Sequence, residues 1–370
     1  MGQERSEEAA AVYREAIRLC AAVLGPREAA TLQCRLERAL ALKRLQRLDE
    51  AESETLKVLG AAREEAQPGL IAEARLQLAQ IKRDRGRLEE ARAEVAELMD
   101  LPHIRGSEFQ YDAMDIHAHA NGFLGHHQAA ASEFEALAEA ITDAHGSQDL
   151  RVLKARSDRV QVLTYLGRYE EAEQEGRALI DIATSNRPRL VPLELAARNA
   201  LVLALAARGH GPEAEAEART AIKQATAAEG TDADILLVLQ LGLARSLNAQ
   251  SRFDEALSIL KPALESFPRV EQHLAAALHL VSGTSLLGLG RGATEQARLA
   301  VDICQKKLGS RHHRALEADT LHGRALAAQG RVAEATEQLT ATTAAWREYF
   351  GDNHPNTRTA QVALDALIAQ

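Results

Sequence analysis

The first residues that could do chemistry are four histidines in the stretch 117–127. Asp115 and His119 are four residues apart, which places two side chains on one face of a helix, whereas His117 and His119 point to different faces. No cysteine accompanies them and no His-x-x-x-His pair is present, so the pattern lacks the usual spacing of a zinc site. We therefore expect a hydrated polar face and no metal site, with shared ligation by Asp115 and His119 as the alternative.

One glycine-rich stretch, Gly288-Leu-Gly-Arg-Gly292, superficially resembles a loop that holds phosphate. A dinucleotide site needs a preceding strand, and a P-loop needs Gly-Lys-Ser/Thr, and this stretch has neither. The sequence also has no Gly-x-Ser-x-Gly motif and no nucleophile beside a partner base. We expect a turn between helices at this stretch, no catalytic residues, no cofactor and no enzymatic activity.

The cysteines and the charge restrict the possible classes further. Cys20, Cys34 and Cys304 show no paired or metal-type spacing, and an odd number of cysteines fits a reducing compartment. The net charge of −9 argues against binding to nucleic-acid phosphates. Without a signal peptide or a long apolar segment in this sequence, we expect a cytoplasmic protein that contacts no membrane.

The helices that would position any site repeat along the chain. A Glu-Ala phrase recurs, with Ala129-Ala130 in one gap, and its alanines from Ala9 to Ala256 are separated by 42, 40, 39, 42, 42 and 42 residues. Within 191–224, apolar residues recur at steps of three and four, stop at Gly209 and resume after Pro212. Each unit is therefore predicted to be a helical hairpin with a short turn, and the whole chain to be all-α.

The predicted turns have related sequences. Most of them contain a glycine, and two variants do without it; the turns are Gln46-Arg47-Leu48, Gly86-Arg87-Leu88, Gly125-His126-His127, Gly167-Arg168-Tyr169, Gln250-Ser251-Arg252-Phe253 and Gly330-Arg331-Val332. The alanine after each turn is small because a larger side chain would hold the two helices apart where they cross.

Three segments between hairpins carry a family resemblance: Leu308-Gly-Ser-Arg-His-His-Arg314, Phe350-Gly-Asp-Asn-His-Pro-Asn-Thr357 and, more weakly, Leu24 to Thr31. The hairpins resemble tetratricopeptide repeats, and these segments resemble the kinesin light chain type. The resemblance implies a right-handed superhelical solenoid spanning 1–370 as one domain. It divides into an orphan second helix at 5–24, eight hairpins over 28–350 and an orphan first helix at 356–369.

The chain departs from the regular pattern at three places. Val160 and Val202 stand where the family has a small residue in the first helix. In the seventh repeat, Ala293 follows Ala256 by only 37 residues, so we expect a shortening near Phe267-Pro268 or at the turn of that repeat.

The two orphan helices have apolar faces, which suggests self-association through the ends, with local capping or fraying as the alternative.

The variable residues of the first helices are the candidate binding site. In tetratricopeptide arrays these helices line a concave groove, and the resemblance places polar residues there along much of the chain. Asparagine and glutamine offer donors and acceptors to an extended peptide, and arginine binds carboxylates. The most peptide-like stretch comprises Lys154, Gln161, Asn199, Arg245 and Asn248.

The resulting prediction is a non-enzymatic scaffold that binds a peptide segment or partner protein in its groove. Two alternatives remain at this point, a peptide-responsive regulatory sensor and a component that acts in trans in a larger signalling assembly. The sequence also leaves open whether the groove or the convex face binds.

Overall fold

A computed structural model describes residues 2–65, 67–101, 104–186, 188–228, 232–266, 272–310 and 312–369. These residues form eighteen α-helices and, across the same ranges, no strand. The all-α prediction is therefore confirmed. No helix within this described part is long and apolar enough to cross a membrane.

The chain divides into two compact units, Met1–Phe123 and Leu124–Gln370. The first unit contains six helices: α1 Gly2–Val23, α2 Ala29–Arg44, α3 Leu48–Glu64, α4 Pro68–Asp84, α5 Leu88–Met99 and α6 Glu108–Phe123. Each helix packs on the next along the chain. The division falls just before the predicted third turn, and the expectation of a single domain remains a prediction.

The second unit contains twelve helices. They are α7 His127–His145, α8 Leu150–Tyr165, α9 Tyr169–Ser185, α10 Val191–Ala207, α11 Gly211–Ala227, α12 Ala233–Ala249, α13 Phe253–Ser266, α14 Gln272–Gly288, α15 Thr294–Lys307, α16 His313–Ala328, α17 Val332–Phe350 and α18 Pro355–Ile368. Here too each helix packs on the next, and alternate helices from α8 to α18 also pack on one another. The predicted orphan helices correspond to α1 and α18.

The turns between paired helices use a left-handed backbone. Gly167 and Gly330 have φ angles of +73° and +77°, and the amide after each glycine bonds back to a carbonyl of the preceding helix. The two turns predicted without glycine keep the same conformation, since Gln46 has a φ of 59° and Ser251 a φ of 58°. The turn geometry is thus retained where the sequence does not supply the residue best suited to it.

The recurring Glu-Ala phrase follows these turns and has two structural roles. The glutamate forms an ion pair with the turn arginine three residues before it, as in Arg47–Glu50, Arg87–Glu90, Arg168–Glu171, Arg252–Glu255 and Arg331–Glu334. Exposed pairs of this kind contribute little to stability because water and salt screen the two charges. The alanine is fully buried at the helix crossing, at Ala51, Ala91, Ala130, Ala172, Ala214, Ala256 and Ala335.

The two valines at predicted crossings are accommodated by smaller residues on the partner helix. Val160 of α8 lies against Gly176 of α9, where an added Cβ would be 3.8 Å from the valine. The reverse arrangement occurs at Gly323 of α16, which packs against Leu339 of α17. Volume is therefore conserved across each crossing while the large side chain changes helix, which preserves close packing. In both examples, the residue of the first helix and its partner on the second helix are sixteen residues apart in the sequence. The same spacing separates the buried pairs Ala39–Thr55, Ala79–Val95, Val202–Ala218 and Ala244–Leu260.

The seventh repeat is five residues shorter than the regular 42, and two of those residues are missing at its turn. Gly290 takes the left-handed conformation there, with a φ of +66°, but Ala293 follows it by three residues instead of the five that separate Gly330 from Ala335. Ala293 is buried and immediately precedes α15. The glycine-rich stretch is therefore a turn between helices, as predicted; the other proposed location, Phe267-Pro268, lies outside the described residues.

Candidate functional site

The helices that precede each turn are called here the first helices: α2, α4 and α6 in the first unit, and α8, α10, α12, α14 and α16 in the second. In the first unit, their polar side chains already pair with one another. Gln33 donates to Glu73 at 2.9 Å, and Lys43 donates to Gln80 at 2.6 Å. Burial also lowers the pKa of Lys43. The polar groups of these two pairs are thus engaged within the protein.

Two of the five predicted site residues also make internal contacts in the second unit. Asn248 on α12 joins α14, donating to the carbonyl of Val281 at 3.2 Å and accepting from the Ser285 hydroxyl at 2.7 Å. Arg245 on the same helix lies 4.0 Å from the carboxylate of Glu317 on α16. Asn248 therefore has a structural role, and Arg245 is only loosely paired.

The other three predicted residues differ in whether their polar groups are available to bind a ligand. Lys154 forms an ion pair with Asp158 at 3.2 Å on its own helix. Gln161 and Asn199 are half-buried and make no side-chain hydrogen bond to any described residue. Asn199 lies against Gly242 of the neighbouring first helix, where an added Cβ would be 3.3 Å from its Oδ1. Gln161 and Asn199 thus retain donors and acceptors for a ligand.

Arg324 on α16 is a further candidate, at the position of its repeat that corresponds to Gln161. Each directly follows the crossing residue, Gly323 in one case and Val160 in the other. The Arg324 side chain is exposed and has no ion pair or hydrogen bond among the described residues. Even so, surrounding protein atoms desolvate the guanidinium and lower its pKa. Arg324 is therefore a cation without a partner among the described residues, and partial desolvation would strengthen its attraction to an anion.

Within the second unit, residues far apart in sequence meet in what we call the closing contact, formed by His127, Tyr165, His313 and His354. His127 Nε2 and His313 Nδ1 are 2.9 Å apart, and the Tyr165 ring stacks on His313 with centroids 3.9 Å apart. His354 Nε2 donates to the carbonyl of Tyr165 at 3.1 Å. The contact joins α7 and α8 to α16 and the start of α18, so it links the first and last helices of this unit.

The imidazoles of the closing contact and of the adjacent His312 are buried, and burial keeps them uncharged. Burial lowers the pKa of His127 to about 4, that of His312 to about 2 and that of His354 by a smaller amount. The nearby Arg314 guanidinium acts in the same direction on His127 and His312. These three imidazoles are therefore neutral near pH 7, so each ring has one nitrogen that can donate and one that can accept. Nδ1 of His127 is buried and has no hydrogen-bond partner among the described residues.

Three of these buried histidines merit a test as a metal site. Ring nitrogens of His127, His312 and His313 lie within 4.8 Å of one another. However, His312 Nδ1 accepts the backbone N–H of Arg314, and His313 Nδ1 bonds to His127 Nε2. The cluster includes no carboxylate, and Arg314 adds positive charge beside it. This chemistry suits a hydrogen-bonded packing cluster.

The histidines near residue 117 also make local bonds. His119 Nδ1 bonds to the carbonyl of Asp115 at 2.8 Å and lies 3.6 Å from its carboxylate. His117 Nδ1 is 3.3 Å from Asn121 Nδ2. His117 and His119 therefore contact different neighbours, as expected for two residues that point to different faces of a helix.

The helix pairs, their turns and the polar surface of the first helices define a helical repeat protein. The tetratricopeptide repeat family model matches residues 323–356, which run from the crossing glycine of α16 to the start of α18. This match shows a tetratricopeptide repeat at these residues, and the structural likenesses below show that the chain has an all-α fold of the tetratricopeptide-repeat type.

Two solved structures have a similar fold at low sequence identity. One is a Rap protein complexed with Competence and Sporulation Factor, with a TM-score of 0.58 and 13% identity over 91% of this chain and 98% of that chain. The other is a tetratricopeptide repeat protein from Parabacteroides merdae, with a TM-score of 0.52 and 16% identity over 80% of this chain and 98% of that chain. No curated protein matches the sequence.

Proposed function

We propose that this protein is a non-enzymatic binding module that holds an extended peptide segment on the first helices of its second unit. The observation that carries the proposal is the set of uncommitted polar groups at Gln161, Asn199 and Arg324. Amide side chains match the alternating donors and acceptors of a peptide backbone, and a guanidinium binds a carboxylate through two parallel hydrogen bonds. The expected ligand is an extended peptide with an acidic side chain or a terminal carboxylate near Arg324.

The second unit is a better candidate than the first because of how the polar groups are used. In the first unit, Gln33, Glu73, Lys43 and Gln80 bond to one another, and a ligand would have to displace those bonds. Ligand binding at Gln161, Asn199 and Arg324 breaks no internal hydrogen bond, so more of the interaction energy contributes to affinity.

A selection from a random peptide library tests the proposal. The full chain is compared with a variant carrying Gln161→Ala, Asn199→Ala and Arg324→Ala, and with Arg331→Ala as the matched control. Arg331 belongs to the same repeat as Arg324 but pairs with Glu334 in the turn. We expect acidic peptides to be enriched on the parent chain and on the control, and lost on the triple variant. Equal enrichment on all three folded proteins would exclude this surface.

A regulatory sensor is a second candidate, and the closing contact favours it. In the closing contact, His127 and Tyr165 from the first two helices of the second unit meet His313 and His354 from its last helices. A ligand bound to the first helices that lie between these in the chain would therefore stabilise or open the contact. A selected peptide should then change the small-angle scattering radius of the protein. An unchanged radius at saturating peptide would leave the static scaffold as the better description.

A further inference from the structure

Four buried histidines meet around the closing contact. His127 begins α7, His312 and His313 lie at the start of α16, and His354 immediately precedes α18. The His313 ring centroid lies 4.8 Å from that of His127 and 4.3 Å from that of His312. None of the four residues is more than 5% exposed. Protons that bind to these rings are therefore brought close together and away from water.

The hydrogen bonds of these rings depend on neutral imidazoles. His312 and His354 each accept, through Nδ1 and at 3.2 Å, the backbone N–H two residues later. His354 also donates through Nε2 to the Tyr165 carbonyl at 3.1 Å, so an added proton has to take its accepting nitrogen. Between His127 and His313, one nitrogen donates and the other accepts, and protonation of both rings would set two N–H groups against each other. Added protons therefore break bonds that the neutral rings make.

Most of the charged side chains that face these imidazoles are cations. Burial is the main cause of the lowered pKa of each ring, and positive charges add to it. These charges belong to His126 before α7, Arg245 on α12, Arg314 on α16 and Arg358 on α18. Within the contact, Arg314 Nη2 donates to the Tyr165 hydroxyl at 3.4 Å. A proton on these rings is thus repelled by groups from several helices.

One carboxylate, that of Glu317 on α16, acts in the opposite direction on His354. It already accepts from Asn356 Nδ2 at 3.3 Å and lies 4.0 Å from the Arg245 guanidinium. Part of its charge is therefore compensated before any imidazole is protonated.

We propose that the closing contact is an acid-sensitive switch, in which protonation of its histidines separates α7 and α8 from α16 and α18 while each helix pair stays folded. In the open form the imidazoles reach water and bind protons with less repulsion and without loss of hydrogen bonds, so acid favours that form. Because α8 and α16 carry Gln161 and Arg324, opening also changes the distance between these two residues.

The pH range of the switch follows from the difference between exposed and buried imidazoles. An exposed imidazole has a pKa of about 6.5, whereas burial lowers the pKa of His127 to about 4 and that of His312 to about 2. At pH 5, relative to pH 8, each of these two residues favours the open form roughly 30-fold, or roughly 1,000-fold together. The closed form therefore loses stability as the pH falls from about 6.5 towards about 4.

The rest of the second unit resists the same acid. The Glu171 and Glu334 carboxylates in the turns each accept hydrogen bonds from the arginine three residues earlier, and these bonds lower the pKa of both carboxylates. Their ion pairs therefore persist at pH values at which an exposed imidazole is already charged. Opening of the contact should thus precede acid unfolding.

An acid titration of the full chain from about pH 8 to about pH 4.5 tests the proposal. Small-angle X-ray scattering measures the radius, circular dichroism measures helicity, and the emission of Trp346 reports on His354. Trp346 is the one tryptophan of the chain, and its ring stacks on that of His354 with centroids 5.2 Å apart and an interplanar angle of 13°. We expect a reversible increase in radius and quenching of Trp346 by the protonated imidazole, with helicity retained.

Two variants identify the histidines that are responsible. His127→Phe combined with His313→Phe keeps a ring at each position, so Tyr165 retains its stacking partner, but neither new ring takes up a proton. His312→Asn keeps a side chain that can cap α16 and removes a proton site. Measured at pH 5, the ratio of open to closed protein should fall roughly 30-fold in His312→Asn and at least as much in the double variant.

Three results would overturn the proposal. These are an unchanged radius down to about pH 4.5, an increase in radius that coincides with loss of helicity, or a ratio of open to closed protein at pH 5 that is the same in the variants as in the parent. Helicity at pH 8 shows whether each variant is folded. If the double variant does not fold, His312→Asn alone decides.

Discussion

Replacing Gly167 by alanine should destabilise the protein more than the same change at Gly330. Both glycines occupy equivalent turns, with φ angles of +73° and +77°. At Gly330, an added Cβ meets no atom within 4 Å, whereas at Gly167 it would lie 2.7 Å from Pro355 Cδ and 3.2 Å from His354 Cδ2. The substitution at Gly167 therefore tests whether the closing contact is present in solution.

The expected magnitudes follow from these distances. A left-handed alanine costs roughly 1–2 kcal/mol, and the reduced freedom of the unfolded chain offsets about 0.4–1 kcal/mol of that cost. We expect Gly330→Ala to lower the free energy of unfolding by about 1 kcal/mol on these two effects. Gly167→Ala adds a carbon–carbon contact far inside the optimum of about 3.5–4.0 Å, and overpacking of this kind costs a further ~1–3 kcal/mol.

Urea denaturation followed by circular dichroism measures both changes, and a double-mutant cycle identifies the cause. Pro355→Ala removes the atoms that Cβ would approach most closely, so it should recover most of the additional cost of Gly167→Ala and none of the cost of Gly330→Ala. Equal losses for the two glycine variants, or no recovery with Pro355→Ala, would show that the closing contact does not form as described.

Two further predictions concern pH and a structural hydrogen bond. The pKa of His127 is about 4 in the folded chain, below about 6.5 when unfolded, so its contribution to stability is complete above about pH 6.5 and falls by roughly 2 kcal/mol by about pH 5. His127→Leu should lose less unfolding free energy than the parent between about pH 8 and pH 5, and a loss equal to that of the parent would contradict this. Asn248→Ala should lower the free energy of unfolding by about 1–3 kcal/mol because it removes both hydrogen bonds of Asn248 to α14, to Ser285 and to the Val281 carbonyl. Gln161→Ala should change it by less than about 0.5 kcal/mol, and chemical denaturation that ranks the two variants the other way would contradict the assigned roles.

The sequence predicts the helices and turns well because their signals are local. Apolar residues at steps of three and four, and a glycine or polar residue after each first helix, depend only on neighbouring positions. The turn at Gly290 was predictable for the same reason. Even the turn at Ser251, which has no glycine, was identified from the spacing of its neighbours.

The pairing of side chains between helices was much less predictable. The small residue of a crossing pair lies on the first helix in Ala244–Leu260 and on the second helix in Val160–Gly176. The sequence alone shows only that Val160 departs from the pattern, because the compensating Gly176 is recognised only when the packing partner sixteen residues later is known. The closing contact joins residues 186 positions apart, His127 and His313, and no local pattern marks such a pair.

The candidate site was predicted in part. Lys154, Gln161, Asn199, Arg245 and Asn248 were chosen because polar residues on first helices suit a peptide, but residue type does not reveal whether a side chain is already bonded. Asn248 is held by Ser285 and Val281, whereas Arg324, among many polar candidates in the sequence, has no partner among the described residues. The position of Arg324 in its repeat could have identified it. Arg324 directly follows the crossing residue Gly323, just as Gln161 directly follows the crossing residue Val160.

The most direct test of peptide binding on the second unit is the dissociation constant of one library-selected acidic peptide, measured by fluorescence anisotropy. We expect Arg324→Ala to weaken binding roughly 10- to 100-fold, since a charged hydrogen bond contributes about 1.5–3 kcal/mol, and Arg331→Ala to leave it unchanged. Amidation of the acidic group of the peptide should weaken binding to the parent and have little further effect on Arg324→Ala. Equal affinity of the parent and Arg324→Ala for this peptide would contradict the proposed site.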